Sequence, residues 1–486
     1  SKELGSPLLI SESILAVSNA LFEKGEINQI HERINEGVYI AEKIGRRHRD
    51  SKSNVLANLY SIRGKVYRKQ GSMTKAIEWL EQCISLRVSS ENLYEKADPL
   101  NTIGIIHASK GEFDLALEYL DESRKIFDQI GNKLPILKIY NNMGLIHSQK
   151  GNLDLGLENY NKSLELAEEL ENLPIIGSLS MNIGLILVNK GEIDIGLEHF
   201  GRAKSIFEEI DHPLYLSVTL TNIATVYEQK GQLDEAMRIY NSSLIISEEL
   251  GNKQEIASIK HNLGNIHLRK GEYEKSLDNY QTSLTLFEES ENKLSVCETI
   301  FNMISLYIET KNEDQAEALL SKLKSLNDKN DNEFIDQMYL LSKATILKSK
   351  DRIVDKVEGL SLLKEIVSHE LIKNEYMIQA MLDLSELLLL ELKISGNEEV
   401  MDEIRILLNK LIVLGEKTNQ IPLLIEVRIL QSKIEVLDLN IVEAQELLSV
   451  ACEIAEKAQL IQLVNKITNE KNELEDDMRK VSDMIE

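Results

Sequence analysis

Proline and phenylalanine are scarce in this 486-residue chain, which has 6 and 8 of them. Leu, Ile, Glu, Lys and Asn abound instead, a bias that favours helix. Three cysteines, Cys83, Cys297 and Cys452, stand far apart. They show neither a pairing pattern nor a metal spacing, so a reducing, cytoplasmic setting and no metal are expected. No apolar run is read as reaching the ~18 residues of a membrane span. "ELLLLELKI" (386–394) is half that length and reads as a buried helix. No signal peptide is recognised. The chain begins at Ser1 without an initiator methionine, which leaves room for a preceding effector domain.

Positive charge is also short. The formal net charge is −25, from 80 acidic and 55 basic residues. Nucleic acid and anionic membrane surfaces are disfavoured as partners, because both require phosphate neutralisation. No HExxH, CxxC, Gly-rich phosphate loop or Gly-x-Ser-x-Gly is present. No enzyme activity and no cofactor are expected.

What the chain does have is a ruler. Gly71, Gly111, Gly151, Gly191, Gly231 and Gly271 recur every forty residues, and Asn312 is read as the next mark, 41 further on. The last five glycines follow Lys, in "SKGEFD", "QKGNLD", "NKGEID", "QKGQLD" and "RKGEYE". Seven residues before each mark is a small residue: Gly64, Gly104, Gly144, Gly184, Ala224, Gly264 and Ser305. Five after the glycines come Ala76, Ala116, Gly156, Gly196, Ala236 and Ser276. Four later stand Leu80, Leu120, Tyr160, Phe200, Tyr240 and Tyr280. Three beyond these are Cys83, Ser123, Ser163, Ala203, Ser243 and Ser283.

Between the marks, apolar residues recur at helical spacing. Lys-Gly ends helix A, with Gly as the left-handed cap. Small residues let helices approach, and the large residue fills the gap. One such pair cannot bury its own face, so the repeats must stack.

The pattern resembles the tetratricopeptide repeat over residues 53–326. It is lengthened from that family's period, since Val88, Asp128, Glu168, Glu208, Glu248 and Glu288 stand where the family closes helix B with Pro. Such long repeats are similar to those of kinesin light chains, Leu-Gly-Asn adaptors and Rap-type peptide receptors. The resemblance implies an all-α, right-handed α-solenoid of antiparallel helix pairs. Residues 1–52 read as an N-terminal capping repeat around "EKGEI" (23–27) and 53–326 as the regular array. Residues 327–464 read as degenerate pairs breaking near Lys348–Arg352, Gly396 and Pro422, and 465–486 as a C-terminal capping helix.

The resemblance also places helix A on the concave face. Two positions before the small residue stand Thr102, Asn142, Asn182, Asn222 and Asn262, and the adjacent column holds Asn101, Asn141, His261 and Asn302. Each mid-helix Asn costs roughly 0.5–0.7 kcal/mol relative to Ala, so four forgo about 2–3. An amide offsets this if it pairs with both N–H and C=O of a peptide backbone. Packed helices ~8–10 Å apart meet an extended peptide, at ~3.3 Å per residue, about once every three residues. The family uses Asn at this position for that purpose, which implies the same here. Asn–Asn or Asn–carbonyl bonds within the array are the structural alternative.

His107, His147 and His267 sit in an aromatic slot and read as packing with a satisfied ring nitrogen. "KIGRRHRDSK" (43–52) puts Arg46, Arg47 and Arg49 in one loop, an anion site or, more commonly, a solvated linker. Lys110, Lys150, Lys190, Lys230 and Lys270 read as cations at helix C-termini, and the helix B acids as a solvated outer face. The expectation is a non-enzymatic adaptor holding a peptide or partner tail in its groove. The alternative is a ligand-sensing regulatory module of a larger signalling protein. Self-association through the C-terminal helices is a third possibility.

Overall fold

A computed structural model describes residues 6–24, 27–45, 48–87, 93–329, 332–369 and 374–485. All 23 elements among the described residues are helices, most of them 17 residues long. The chain divides into two units, residues 1–186 and 187–486. Helix Leu173–Lys190 crosses the division. It is apolar enough to span a membrane by length and composition, with mean hydropathy 1.4 over 18 residues, which corrects the expectation that no run reaches that length. Half of it is buried, and it carries Asn182 and Gly184 of the repeat pattern, so it packs as a repeat helix.

The forty-residue ruler is a backbone device. Gly71, Gly111, Gly151, Gly191, Gly231 and Gly271 all have φ between +69° and +89°. Each ends a helix by turning the chain left-handed, and the next amide bonds back five residues, as from Gln232 to the Tyr227 carbonyl at 2.9 Å. This satisfies carbonyls that a helix end leaves open. Helix B ends likewise, at Gly131, Glu171, Asp211, Gly251 and Glu291, all with positive φ.

The seventh mark corrects the sequence reading. Lys311 (φ 55°), forty residues after Gly271, takes the left-handed position, and Asn312 is the N-cap of the next helix. From Gly71 to Lys311 the register does not slip. Asn302 therefore continues the column of Asn142, Asn182, Asn222 and Asn262, and buried Ile304, not Ser305, holds the small-residue position.

The small residues are required by contact. A Cβ on Gly64 or Gly104 would fall 2.6 or 2.8 Å from Leu80 or Leu120. On Gly144 or Gly264 it would fall 2.7 or 2.6 Å from the Tyr160 or Tyr280 ring. The lysine column ties repeats together: Lys270 Nζ lies 2.6 Å from Asp234, 36 residues back, and Lys150 pairs with Asp114 in the same way. Of the basic loop, Arg46 and Arg47 lie outside the described residues, as does Val88. Arg49 is not a loop residue; it opens helix Arg49–Lys69.

In residues 1–186, antiparallel pairs such as Arg49–Lys69 with Met73–Leu86 and Lys133–Gln149 with Leu153–Glu169 stack in sequence order. In residues 187–486, regular pairs run to Glu313–Asn327, and three further pairs span 333–457 before the last helix, Ile461–Ile485. The pair Ile421–Leu437 and Ile441–Lys457 keeps the spacing of the regular repeats without glycine, because Asn419, Leu439 and Gln459 take positive φ. The break expected near Pro422 falls between helices Glu398–Lys417 and Ile421–Leu437, and Pro422 itself sits in the first turn of the second, where its missing N–H costs nothing.

These later helices return to the earlier ones within the same unit. Leu448, Ala451, Leu460, Leu463 and Ile467 share a core with Ala224, Leu233, Tyr240 and Ile266. The Lys417 carbonyl approaches Gly191 so closely that a Cβ there would lie 1.7 Å from it. Helix Ile461–Ile485 packs against Lys253–Arg269 as well as its sequence neighbours.

Candidate functional site

The asparagine column divides by what each amide does. Asn182 Nδ2 reaches Asn141 Oδ1 at 3.4 Å, 41 residues back. Asn302 repeats that link, its Nδ2 lying 3.1 Å from His261 Nε2 and donating to Asn265 Oδ1 at 2.9 Å. The structural alternative thus operates at two positions. Asn142, Asn222 and Asn262 are half-buried and make no side-chain hydrogen bond among the described residues. Asn101 Oδ1 is buried with no hydrogen-bond partner among the described residues. Thr102 is buried, and its hydroxyl donates to the Asp98 carbonyl at 3.0 Å, which leaves it little access to a ligand.

His261 sits between two partners, with Nε2 3.1 Å from Asn302 Nδ2 and Nδ1 3.1 Å from Thr299 Oγ1. Thr299 in turn donates to the Ser295 carbonyl at 2.8 Å. His107 and His267 are satisfied by Glu112 and Glu272 at 2.5 and 2.6 Å. His147 departs from the expectation: its Nδ1 is buried without a partner among the described residues, and burial pushes its pKa below the ordinary value.

His261 and Asn302 open into a cavity of about 650 Å³ inside residues 187–486. Its other walls come from helices Tyr273–Glu289, Glu333–Ser349, Asn374–Ser395, Ile421–Leu437 and Ile461–Ile485, through residues such as Tyr280, Lys348, Asp383, Glu426 and Lys466. Asn265 lines it too, and is held by the Tyr280 hydroxyl at 2.6 Å. Asn222 and Asn262 are not among its walls.

One side of the cavity is an ion network that sequence reasoning missed. Lys348 Nζ lies 2.5 Å from Asp383 and 2.7 Å from Glu386. Lys466 Nζ bridges Glu386 at 2.9 Å and Glu426 at 3.2 Å. Burial raises the pKa of Asp383, with Lys348 opposing. Burial pushes Glu386 the same way, but Lys348 and Lys466 overcome it and hold that carboxyl well below the usual range. Burial likewise disfavours the Lys348 charge, and Asp383 and Glu386 more than restore it. The available signal was Asp383 and Glu386, three apart, in the largely apolar "MLDLSELLLLEL".

The family model described as Tetratricopeptide repeat matches residues 55–129, 174–249 and 255–325, and a second model of that description matches 137–170. Together they take in more than half of the chain. No curated protein matches it. The apo form of the quorum sensor NprR from B. thuringiensis is similar with TM-score 0.50 and 14% identity, over 82% of this chain and 98% of that one. Aspartyl phosphate phosphatase F from Bacillus subtilis gives 0.49 and 13%, over 65% and 94%. The putative kinesin light chain repeats of Podosopora anserina give 0.36 and 14%, over 43% and 99%. The first of these likenesses, at 14% identity, is of fold alone.

Proposed function

The chain belongs to the tetratricopeptide repeat family, and we propose that it is a non-enzymatic adaptor that holds an extended peptide or partner tail against its A helices. The observation carrying this is that the half-buried amides of Asn222 and Asn262 in residues 187–486, like that of Asn142 in residues 1–186, are satisfied by no group among the described residues. A buried or half-buried amide without a partner forgoes hydrogen bonds that a peptide backbone supplies.

A second reading is favoured by the cavity in residues 187–486. There the regular repeats and the last helix both contribute walls, and Lys466 joins that helix to Glu386, 80 residues away. A ligand taken up there is sensed by both, as in a regulatory module whose pitch changes on binding.

Panning a random peptide library on the full chain separates the two. Asn222→Ala/Asn262→Ala removes two column amides outside the cavity, and Asn265→Ala/Asn302→Ala removes two of the amides that line it. Loss of a shared motif on the first variant supports the adaptor reading. Loss on the second variant alone moves the site to the cavity. A motif enriched equally on the parent and both folded variants refutes both readings.

A further inference from the structure

A second, smaller pocket of about 250 Å³ lies beside the cavity, and its charged lining is Lys348, Lys356, Lys393, Lys433 and the single carboxylate Glu386. In a chain of net charge −25, that sign is opposite to the whole. Lys348, Lys393 and Lys433 come from near the C-terminal ends of three successive A helices, Glu333–Ser349, Asn374–Ser395 and Ile421–Leu437. Helix dipoles favour cations there. They do not account for Lys356, which stands at the start of helix Ile353–His369, where a dipole disfavours a cation.

The lysines divide by partner. Lys348 is committed to Asp383 and Glu386, and Lys433 to Glu470 at 2.7 Å. Lys356 and Lys393 make no ion pair among the described residues. Glu386 is paired with Lys348 and Lys466, which weakens its repulsion of an anion, although those two lysines also face Asp383 and Glu426. The remaining wall is Leu387, Leu389 and Leu390. Two uncommitted ammoniums match the two charges of a phosphate monoester, and lysine suits phosphate as a mobile point charge. The leucine wall suits an organic group, and the volume is just under the roughly 300 Å³ at which ligand pockets usually begin.

We propose that this pocket binds a phosphate monoester of a small organic molecule, with Lys356 and Lys393 holding the phosphate and the leucines the organic part. The test is calorimetric titration of the full chain with phenyl phosphate and with inorganic phosphate. Phenyl phosphate is expected to bind saturably and about tenfold or more tighter than inorganic phosphate, since burying a phenyl ring against leucine is worth at least that factor. Lys356→Gln/Lys393→Gln is expected to weaken it by about tenfold or more, the loss of charge-assisted hydrogen bonds. Lys356→Arg/Lys393→Arg keeps the charge and retains binding, and Lys410→Gln, an exposed lysine outside the pocket, changes nothing. Three results each overturn the proposal: no saturable binding of phenyl phosphate, equal affinity for inorganic phosphate, or affinity unchanged in the folded glutamine variant.

Discussion

Replacing Lys348 by Met keeps the aliphatic stem and removes the ammonium at the centre of the ion network. Asp383, 1% exposed, is left with the Gln379 amide at 3.0 Å and the Thr345 hydroxyl at 3.4 Å. Glu386 keeps Lys466. Removing one partner of a buried pair costs about 3–5 kcal/mol. Lys348 is 23% exposed, so water screens part of this, and about 2–3 kcal/mol is expected. Hydrogen exchange in helices Glu333–Ser349 and Asn374–Ser395 reads the local opening free energy directly. It should quicken roughly 30- to 160-fold. The deficit must also depend on pH. Burial already raises the pKa of Asp383 above its ordinary 3.8, and loss of Lys348 raises it further. The folded variant then holds a proton that the unfolded chain has released, so its stability falls as pH rises through that window and recovers as pH falls. Asp383→Asn added to Lys348→Met removes the buried charge and should restore most of the loss. Exchange within about threefold of the parent, or a deficit that is flat with pH, refutes this account of the network.

Two further outcomes follow from contact and burial. Gly271→Ala should cost only about 1–2 kcal/mol of left-handed strain, because the nearest atom to the new Cβ is 3.9 Å away. Gly191→Ala meets the Lys417 carbonyl at 1.7 Å and should cost at least about 1 kcal/mol more, measured by urea denaturation. Glu228 is buried, which raises its pKa above the ordinary 4.5, against Arg269 at 3.5 Å and the Tyr240 hydroxyl at 3.2 Å. Its folded form keeps a proton above the pH at which the unfolded chain loses it, so stability falls with rising pH across that window. Glu228→Gln should remove that slope, and an unchanged slope in urea midpoints against pH counts against it.

The repeat itself was legible because its determinants are local. Gly71 to Gly271 mark the left-handed turns, and Gly64, Gly104, Gly144 and Gly264 mark where a neighbouring Leu or Tyr leaves no room for a Cβ. Reading by residue type failed where another residue adopts the same backbone. Lys311 turns left-handed in place of glycine, and this displaced Asn302 by one column. It failed again at Asn419, Leu439 and Gln459, which keep a regular pair going without the marks. The asparagine column was visible as a pattern. That Asn182 and Asn302 spend their amides within the array while Asn142, Asn222 and Asn262 do not depends on side-chain geometry between repeats.

The sequence by itself determined the helices, their forty-residue step, the small-against-large packing within pairs, and the family. Each rests on interactions between residues close in the chain or one repeat apart, where spacing is a sufficient guide. Only the tertiary structure decided that Lys466 meets Glu386, that Gly191 meets Lys417, and that His261, Asn302 and Asp383 share one cavity. Those meetings join helices several repeats apart in the chain and depend on how the later helices pack against the earlier ones. No residue pattern of fixed period records which of them meet.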